Sequence, residues 1–499
     1  MLRLVDADLA LRPQRPSVDL GAAVEETHSG IVFFAGDRAY KVKKPVDLGF
    51  LDFQSRASRE RVCHREVELN RRLAPDVYLG VADVVDPDGA RCDHLIVMRR
   101  MPADRRLSTL VSSGAPVDDH LWRLARVVAA FHERAERSPE IDRAASADSV
   151  IGLWNANRVG LAAFAGGVFD EVVLERMADW ASRYVRGRRA LFERRVAAGR
   201  AVDGHGDLLA DDIFCLDDGP RVLDCLEFDD HLRYGDALLD IAFLAMDLER
   251  LGRRDLSERF LAGYRELSAD AWPPSLADHY VAYRAAVRAK VAAIRHGQGD
   301  DRSLEQARLL LAMAHDHLDR GRVRLVLVGG LPGTGKSTLA ATIGDRLGAT
   351  VLRSDEVRKE IVGLSTGQPA PAAFEEGIYR PETTLATYRT LLDRASTAVE
   401  LGETVVLDAS WQADEWRVMA RRVAQQTETE LVEIRCVCPR ALATTRLEDR
   451  GARGDDPSDA TPAIADAMRP RTDPWPSARV IETEGSVSET VDRALDALA

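Results

Sequence analysis

The stretch "VRLVLVGGLPGTGKSTLAATIGDRL", from Val323 to Leu347, constrains the fold more than any other part of the chain. An apolar run, a glycine-rich turn and an amphipathic segment follow one another directly, which predicts strand, loop and helix. Within it, Gly330-x-x-x-x-Gly335-Lys336-Ser337 is a complete P-loop pattern. Glycines let the backbone wrap a phosphate closely with N–H groups pointing inward, and the start of the helix adds favourable partial charge. The candidate ATP-binding residues here are Gly330, Leu331, Pro332, Gly333, Thr334, Gly335, Lys336, Ser337 and Thr338. Lys336 is expected to neutralise the β- and γ-phosphates, and the Ser337 hydroxyl to coordinate Mg²⁺.

The same texture continues downstream. "ATVLRS", "TVVLDAS", "LVEIRCVC" and "ARVIET" read as strands separated by helical segments. That alternation indicates a parallel sheet covered on both faces. The domain boundary is read near residue 321, giving domains 1–320 and 321–499. In "RSDEVRKE", Asp355 ends a strand and Arg358 follows one helical turn later. Such a carboxylate can take the proton of a substrate hydroxyl while the guanidinium holds the substrate. Asp408, ending "TVVLDAS", is a candidate Mg²⁺ acid. In "RLEDRGARGDDPSDA", Arg446 and Arg450 share a helix face and Arg453 is placed in the loop beyond. Arginines so placed can close over a transferring phosphoryl group. The bland alternatives are a helix-capping Asp, a structural strand-end Asp and a solvated arginine face. From Val323 to Ala499 this composite resembles the gluconate-kinase, polynucleotide-kinase and zeta-toxin group of small P-loop kinases, which implies ATP-dependent phosphoryl transfer to a hydroxyl group.

A chain of 499 residues exceeds one ordinary core, so two or three domains are expected. Its net charge of -13 disfavours nucleic acid and anionic membrane surfaces as partners. No apolar run approaches the roughly 20 residues of a membrane span. The N-terminal stretch "MLRLVDADLALRPQRP" does not read as a signal peptide. The six cysteines form no CxxC pair, so reduced thiols and a cytoplasmic setting are expected, with Cys436 and Cys438 on one strand face.

The N-terminal half reads as mixed α and β. "GIVFF", "AGD" and "RAYKVKK" form a hairpin, placing Lys41 and Lys43 on one strand face. A charged helix containing "REVEL", the strand "HLIVMRRM", a long helical region, the loop "HGDLLADDI", the strands "DIFCLDD" and "PRVLDCLEF", and "RYGDALLDIAFLAMDL" follow in order. The arginine-rich "RYVRGRRALFERRVAAGR" reads as a solvated helix face.

These pieces resemble the aminoglycoside-phosphotransferase-like, or choline-kinase-like, fold. With "YKVKKPVDLGFLDF", "REVELNRRLAPDVYLGV" and "DCLEFDD", the whole chain resembles bacterial fusion proteins joining such a domain to a P-loop kinase domain. The resemblance implies an N-terminal protein-kinase-like phosphotransferase fold with Asp207 as the catalytic base. Asp212 occupies the place of a metal-binding asparagine. The second metal acid is Asp224 by residue type or Glu227 by spacing; on one strand the two would face opposite ways, and Glu227 is favoured. Lys41, favoured over Lys43, would meet the ATP phosphates, paired with Glu66 or Glu68, Glu66 being the candidate. Backbone groups from Met98 to Arg100 would contact adenine. Asp236 and Asp240 would support the catalytic loop. "YKVKKPVDLGFLDF" itself reads only as a strand and a structured loop.

The expected function is ATP-dependent phosphotransfer, with Mg²⁺, to a small hydroxyl-bearing metabolite resembling a sugar or sugar acid. Two ATP sites are expected. The alternatives are an N-terminal pseudokinase controlling one active P-loop kinase, and a nucleic-acid 5′-end kinase, which low basicity disfavours.

Overall fold

Alternating side chains and a two-residue turn build the hairpin β3 (Gly30–Ala35) and β4 (Arg38–Lys43), in which Ala35 pairs with Arg38 and Val32 with Lys41. The computed structural model describes residues 3–4, 23–26, 30–46, 53–365, 368, 370, 375–453 and 458–496. The loop of "YKVKKPVDLGFLDF" at 47–52, most of the N-terminal stretch and residues 454–457 lie outside the described residues.

Two compact units are present. The first comprises Met1–Val150, Arg195–Trp272 and Tyr280–Ala314; the second comprises Ile151–Arg194, Pro273–His279 and His315–Ala499. In the first, β1 (Arg3–Leu4), β2 (Ala23–Glu26), β3, β4, β5 (Tyr78–Val85) and β6 (Arg91–Arg99) form an antiparallel sheet ordered β1-β5-β6-β4-β3-β2. The helix Arg56–Asn70, capped at its start by Ser55, packs Cys63 and Val67 onto Val81, Ile96 and Met98. Farther along, β7 (Ala201–Asp203) pairs with β10 (Tyr234–Asp236), and β8 (Ile213–Leu216) with β9 (Gly219–Val222). The loop carrying Asp207 runs between β7 and β8.

The second unit carries the parallel sheet. Its strands are β11 (Arg324–Gly329), β12 (Thr350–Arg353), β13 (Val405–Asp408), β14 (Glu430–Val437) and β15 (Arg479–Glu482), ordered β12-β13-β11-β14-β15. Val326, Val328, Val406, Ile434 and Ile481 pack on Leu339 and Ile343 of the helix Lys336–Leu347. Each such buried side chain contributes roughly 1.5–3 kcal/mol. The first unit is thus an α+β kinase-like domain and the second a parallel-sheet P-loop NTPase-like domain.

Several local expectations are corrected. "PRVLDCLEF" is a strand only to Val222, and Asp224 takes a left-handed backbone (φ 65°). Period-two alternation therefore stops before Asp224. Cys438 lies beyond the end of β14, while Cys436 is buried within it; all six cysteines are free thiols. Arg453 closes the helix Arg440–Arg453 instead of entering the following loop. The arginine run is not wholly a solvated face. In the second unit Arg188 is buried and donates to Thr427 O and Thr429 Oγ1, each at 2.9 Å. In the first, Arg195 is buried against Asp236 and Asp270. No helix among the described residues is long and apolar enough to cross a membrane.

Candidate functional site

In the second unit, the chain leaves β11 at Gly329 and begins its helix at Lys336, with Gly335 in a left-handed cap (φ 80°). At Gly333, φ is +81° and a Cβ would stand 2.5 Å from Ala443 O, so a side chain is excluded there. Thr334 Oγ1 donates to Leu331 O at 2.7 Å, and Thr483 Oγ1 donates to Thr334 O at 2.8 Å. Arg446 Nη2 in turn donates to Thr483 O at 2.7 Å. The loop is thereby pinned through the end of β15.

A cavity of about 540 Å³ opens on this loop, lined by Gly333, Gly335, Lys336, Ser337, Thr338, Arg353, Arg446 and Arg450. Arg450 Nη2 donates to Ala460 O at 2.9 Å. Gly330, Leu331 and Pro332 border a different cleft, against Cys436 and Trp475. Asp408, at the end of β13, is 4% exposed, and its Oδ1 has no hydrogen-bond partner among the described residues. The Ser337 hydroxyl lies beside this carboxylate; burial raises the Asp408 pKa, opposed by Lys336 and Ser337. A buried, unpartnered carboxylate oxygen beside a hydroxyl is a hard donor pair of the kind Mg²⁺ takes. Arg353 Nε donates to the other oxygen, Asp408 Oδ2, at 3.3 Å.

Lys336 also lines a second cavity of about 570 Å³, with Asp355, Arg358, Tyr379, Thr384, Tyr388 and Trp416. Arg358 is buried, lies over the Tyr379 ring at 4.9 Å and donates from Nη1 to Thr384 Oγ1 at 3.0 Å. Its Nε has no hydrogen-bond partner among the described residues. Tyr388 and Trp416 stack with ring centroids 4.7 Å apart. The sequence reading missed Tyr388 and Trp416, which sit in ordinary helix segments with no motif around them, and Arg353, which opens "RSDEVRKE" two residues before Asp355 but was given no role there.

In the first unit, the loop at His205 is held by Asp240. Its Oδ2 accepts from His205 N and its Oδ1 from Gly206 N, both at 2.8 Å, while His132 Nε2 pairs with Oδ2 at 3.0 Å. A Cβ on residue 204 would lie 2.7 Å from that carboxylate, so Gly204 permits the approach. Burial opposes the charge of Asp240, yet His132 and the loop N–H groups hold its carboxyl well below the usual range. Among the described residues, the hydrogen bonds of Asp236 go elsewhere than the loop. Asp236 caps the helix Ala237–Arg250 and pairs with Arg195. The second support is Asp247, whose Oδ2 accepts from Ala210 N at 3.0 Å. Helical spacing could have found it, since Asp240 and Asp247 lie two turns apart on one face.

Asp207 projects from this loop with its side chain 33% exposed. Burial pushes its carboxyl up to about 6, against the pull of Arg288, whose Nη1 is 4.0 Å away. Asp212 is pushed well up by burial and by the charges of Asp224 and Asp207.

The strand lysines and three acids form one network. Lys41 Nζ donates to Glu66 Oε1 at 2.8 Å and to Asp224 Oδ1 at 2.5 Å. Lys43 Nζ lies 2.5 Å from both Glu66 Oε2 and Glu227 Oε1. Glu66 is thus the buried partner, whereas Glu68 is exposed and pairs with Arg65. Asp224 and Glu227 both turn into this network, contrary to the opposite-face expectation, because the left-handed residue at 224 ends the strand period. Glu227 is spent on buried Lys43; Asp224, half exposed, is the acid facing Asp212. Burial works against the Asp224 charge, but Lys41 holds its carboxyl below the ordinary value. At the expected adenine strand, Arg99 N donates to Val77 O at 2.9 Å and Arg100 N to Asp37 O at 2.8 Å, so these amides are turned to protein. Among the described residues, no three His, Cys, Asp or Glu side chains converge as a metal cage.

Residues 325–475 match the family model described as AAA domain. Among solved structures, a choline/ethanolamine kinase family protein from Mesorhizobium loti is 14% identical, covering 60% of this chain and 92% of that one with a TM-score of 0.36. The Mycobacterium tuberculosis APS kinase CysC, solved with AMPPNP and APS, is 21% identical over 36% of this chain and 98% of its own, with a TM-score of 0.27. Uncharacterized protein Rv2004c of Mycobacterium tuberculosis strain H37Rv is 43% identical over 473 residues, which is 94% of this chain and 94% of the relative. The chain belongs to the family of this mycobacterial protein, Rv2004c.

Proposed function

We propose that the protein is an ATP-dependent phosphotransferase acting on small hydroxyl-bearing metabolites, with one nucleotide site in each of two domains, 1–320 and 321–499. One observation carries the reading. Lys336 borders both the cavity of about 540 Å³ over the phosphate loop and the cavity of about 570 Å³ holding Asp355 and Arg358. A cation at that junction is where a γ-phosphoryl group passes between donor and acceptor.

In this reading Asp355 takes the acceptor proton, Arg358 positions the acceptor, and Arg446 and Arg450 offset charge on the transferring group. Ser337 and Asp408 would hold Mg²⁺, which supplies charge neutralisation on the phosphates. In the first unit Asp207 takes the proton and Lys41, oriented by Glu66, meets the phosphates. Asp212 and Asp224 would hold the metal there. A kinase Mg²⁺ draws much of its shell from phosphate and water, so a three-donor protein cage is not required.

The test uses the full chain. Lys336→Ala and Asp207→Ala are assayed separately for phosphorylated product over a panel of sugars, sugar acids and nucleosides. Each variant is expected to lose one activity and keep the other. Intact ATP binding with no phosphorylated product from any acceptor would overturn the reading. The engagement of Asp224 by Lys41 favours a second reading, in which the first unit senses a ligand and regulates the P-loop unit. Nucleotide binding by the Lys336→Ala chain separates the two: dependence on Mg²⁺ supports catalysis, and independence supports sensing.

A further inference from the structure

The helix Pro274–Gly297 carries arginines at 284, 288 and 295. With 3.6 residues per turn, these fall within about 40° of one another around the axis and form one row. The row belongs to the first unit and faces the loop of Asp207. Arg288 Nη1 is 4.0 Å from Asp207 Oδ1, and the charges of Arg284 and Arg295 also reach that carboxylate.

Depth is graded along the row. Arg284 is 8% exposed, donates from Nε to Leu239 O at 3.1 Å and lies over the Phe243 ring at 4.5 Å. Arg288 is 22% exposed at its side chain, and Arg295 is half-buried. Besides Asp207, Asp240 acts on Arg284 and Asp300 on Arg295. Both are committed elsewhere: Asp240 to the loop N–H groups, Asp300 to Arg302 N at 3.2 Å and Ser303 Oγ at 2.7 Å. Sheltered guanidinium groups on one side of a reactive carboxylate form a site for an oxyanion, which Arg binds in planar, bidentate fashion.

We propose that this arginine row is the acceptor subsite of the first unit, and that its acceptor carries a phosphate or carboxylate within about 10 Å, seven helical residues, of the hydroxyl that is phosphorylated. The assignment rests on Asp207 being the base of that unit. The acceptor oxygen forms a bond to the γ-phosphorus, and the bond from that phosphorus to the β–γ bridging oxygen breaks. Its electron pair leaves with ADP, and the hydroxyl proton passes to Asp207. Arg288 holds the anionic end of the acceptor during this step. An amine-bearing acceptor would meet like charge along the row and be rejected.

The full chain carrying Lys336→Ala isolates the first unit. It is assayed with ATP–Mg²⁺ and four matched acceptors: glucose 6-phosphate, glucuronate, glucose and glucosamine. Turnover of glucose 6-phosphate or glucuronate, well above glucose and glucosamine, is expected, and the better of the two identifies the anion. Adding Arg288→Ala should raise KM for the anionic acceptor about 10- to 100-fold, the worth of one charge-assisted contact, with kcat at about pH 8 little changed. The pH midpoint should move upward, because the Arg288 charge no longer favours the Asp207 carboxylate. Arg288→Lys should restore part of that loss. Preference for glucose or glucosamine, or an equal loss on all four acceptors, would overturn the proposal. Absence of turnover with every acceptor would overturn the phosphotransferase reading of this unit, and calorimetry with glucose 6-phosphate and glucuronate then decides the subsite alone. Binding of either that Arg288→Ala weakens supports it; no binding, or binding untouched by that change, removes it.

Discussion

Lys43 Nζ and Glu227 Oε1 lie 2.5 Å apart although 184 residues separate them in sequence, and both side chains are buried. Burial alone would push the Lys43 ammonium down, but Glu66 and Glu227 hold it above its ordinary value. Glu227→Gln leaves Lys43 with one partner in a dry site. The expected loss is about 3 kcal/mol, toward the lower end for a broken buried pair because Glu66 remains. Urea unfolding measures it, with Glu68→Gln as the exposed control expected to change stability by less than about 0.5 kcal/mol. Equal stability of the two variants would mean that this pair does not tie the lysine strand to the segment after β9.

Asp207 offers a pH signature. A base must be deprotonated, so activity of the first unit should rise with pH through a midpoint of about 6. The folded carboxyl stands above its ordinary 3.8, so between these values the folded state holds the extra proton. Stability contributed by that proton is lost as pH rises through about 6. Asp207→Asn should therefore abolish the activity while stabilising the chain at pH 7 by about 1 kcal/mol, a figure reduced for partial exposure. A rate profile flat between pH 5 and 8 in the Lys336→Ala chain would remove Asp207 from the base role.

The legible parts of the chain were those where local pattern and local chemistry agree. Strand β11, the glycine loop and the helix from Lys336 are contiguous, so one motif specifies all three. Likewise, hairpin alternation placed Lys41 and Lys43 on one face of β4. The expectation that Asp224 and Glu227 face opposite ways failed for a definite reason: a strand period was extended across a residue that adopts φ 65°. Nothing in "VLDCLEF" announces a left-handed aspartate. Arg288 and Trp416 were invisible for another reason. Each lies on an ordinary helix and acquires its neighbours only through tertiary packing, across 81 and 28 residues for Asp207 and Tyr388 respectively. Asp247 stands between these cases, since its helical register with Asp240 was readable and went unread.

At Gly333 the phosphate loop can be broken by one methyl group. A Cβ there would approach Ala443 O to 2.5 Å, and the backbone φ of +81° disfavours any L side chain. Gly333→Ala should shift the loop, weakening nucleotide binding at this site at least tenfold and costing about 1–3 kcal/mol of stability. Titration with a fluorescent ATP analogue, made in a Lys41→Ala chain so that the phosphate contact of the first unit is absent, reports this site directly. Unchanged affinity would show that the loop backbone does not shape the phosphate site.

His205 predicts acid sensitivity in the first unit. Its ring is fully enclosed, with Nε2 at 3.1 Å from Leu223 O, and burial pushes its pKa down to about 4 from 6.5. Asp240 and Asp224 oppose that shift without overcoming it. Between these values the unfolded chain binds a proton that the folded chain does not. Stability is therefore full above pH 6.5 and falls as pH drops toward 4, by about 3 kcal/mol for this group alone. His205→Asn cannot titrate, so the stability difference between wild type and variant should shrink in the variant's favour as pH falls from 7 to 4.5. Urea unfolding at both pH values measures that difference, and a pH-independent gap would mean that His205 is not the group charging on unfolding.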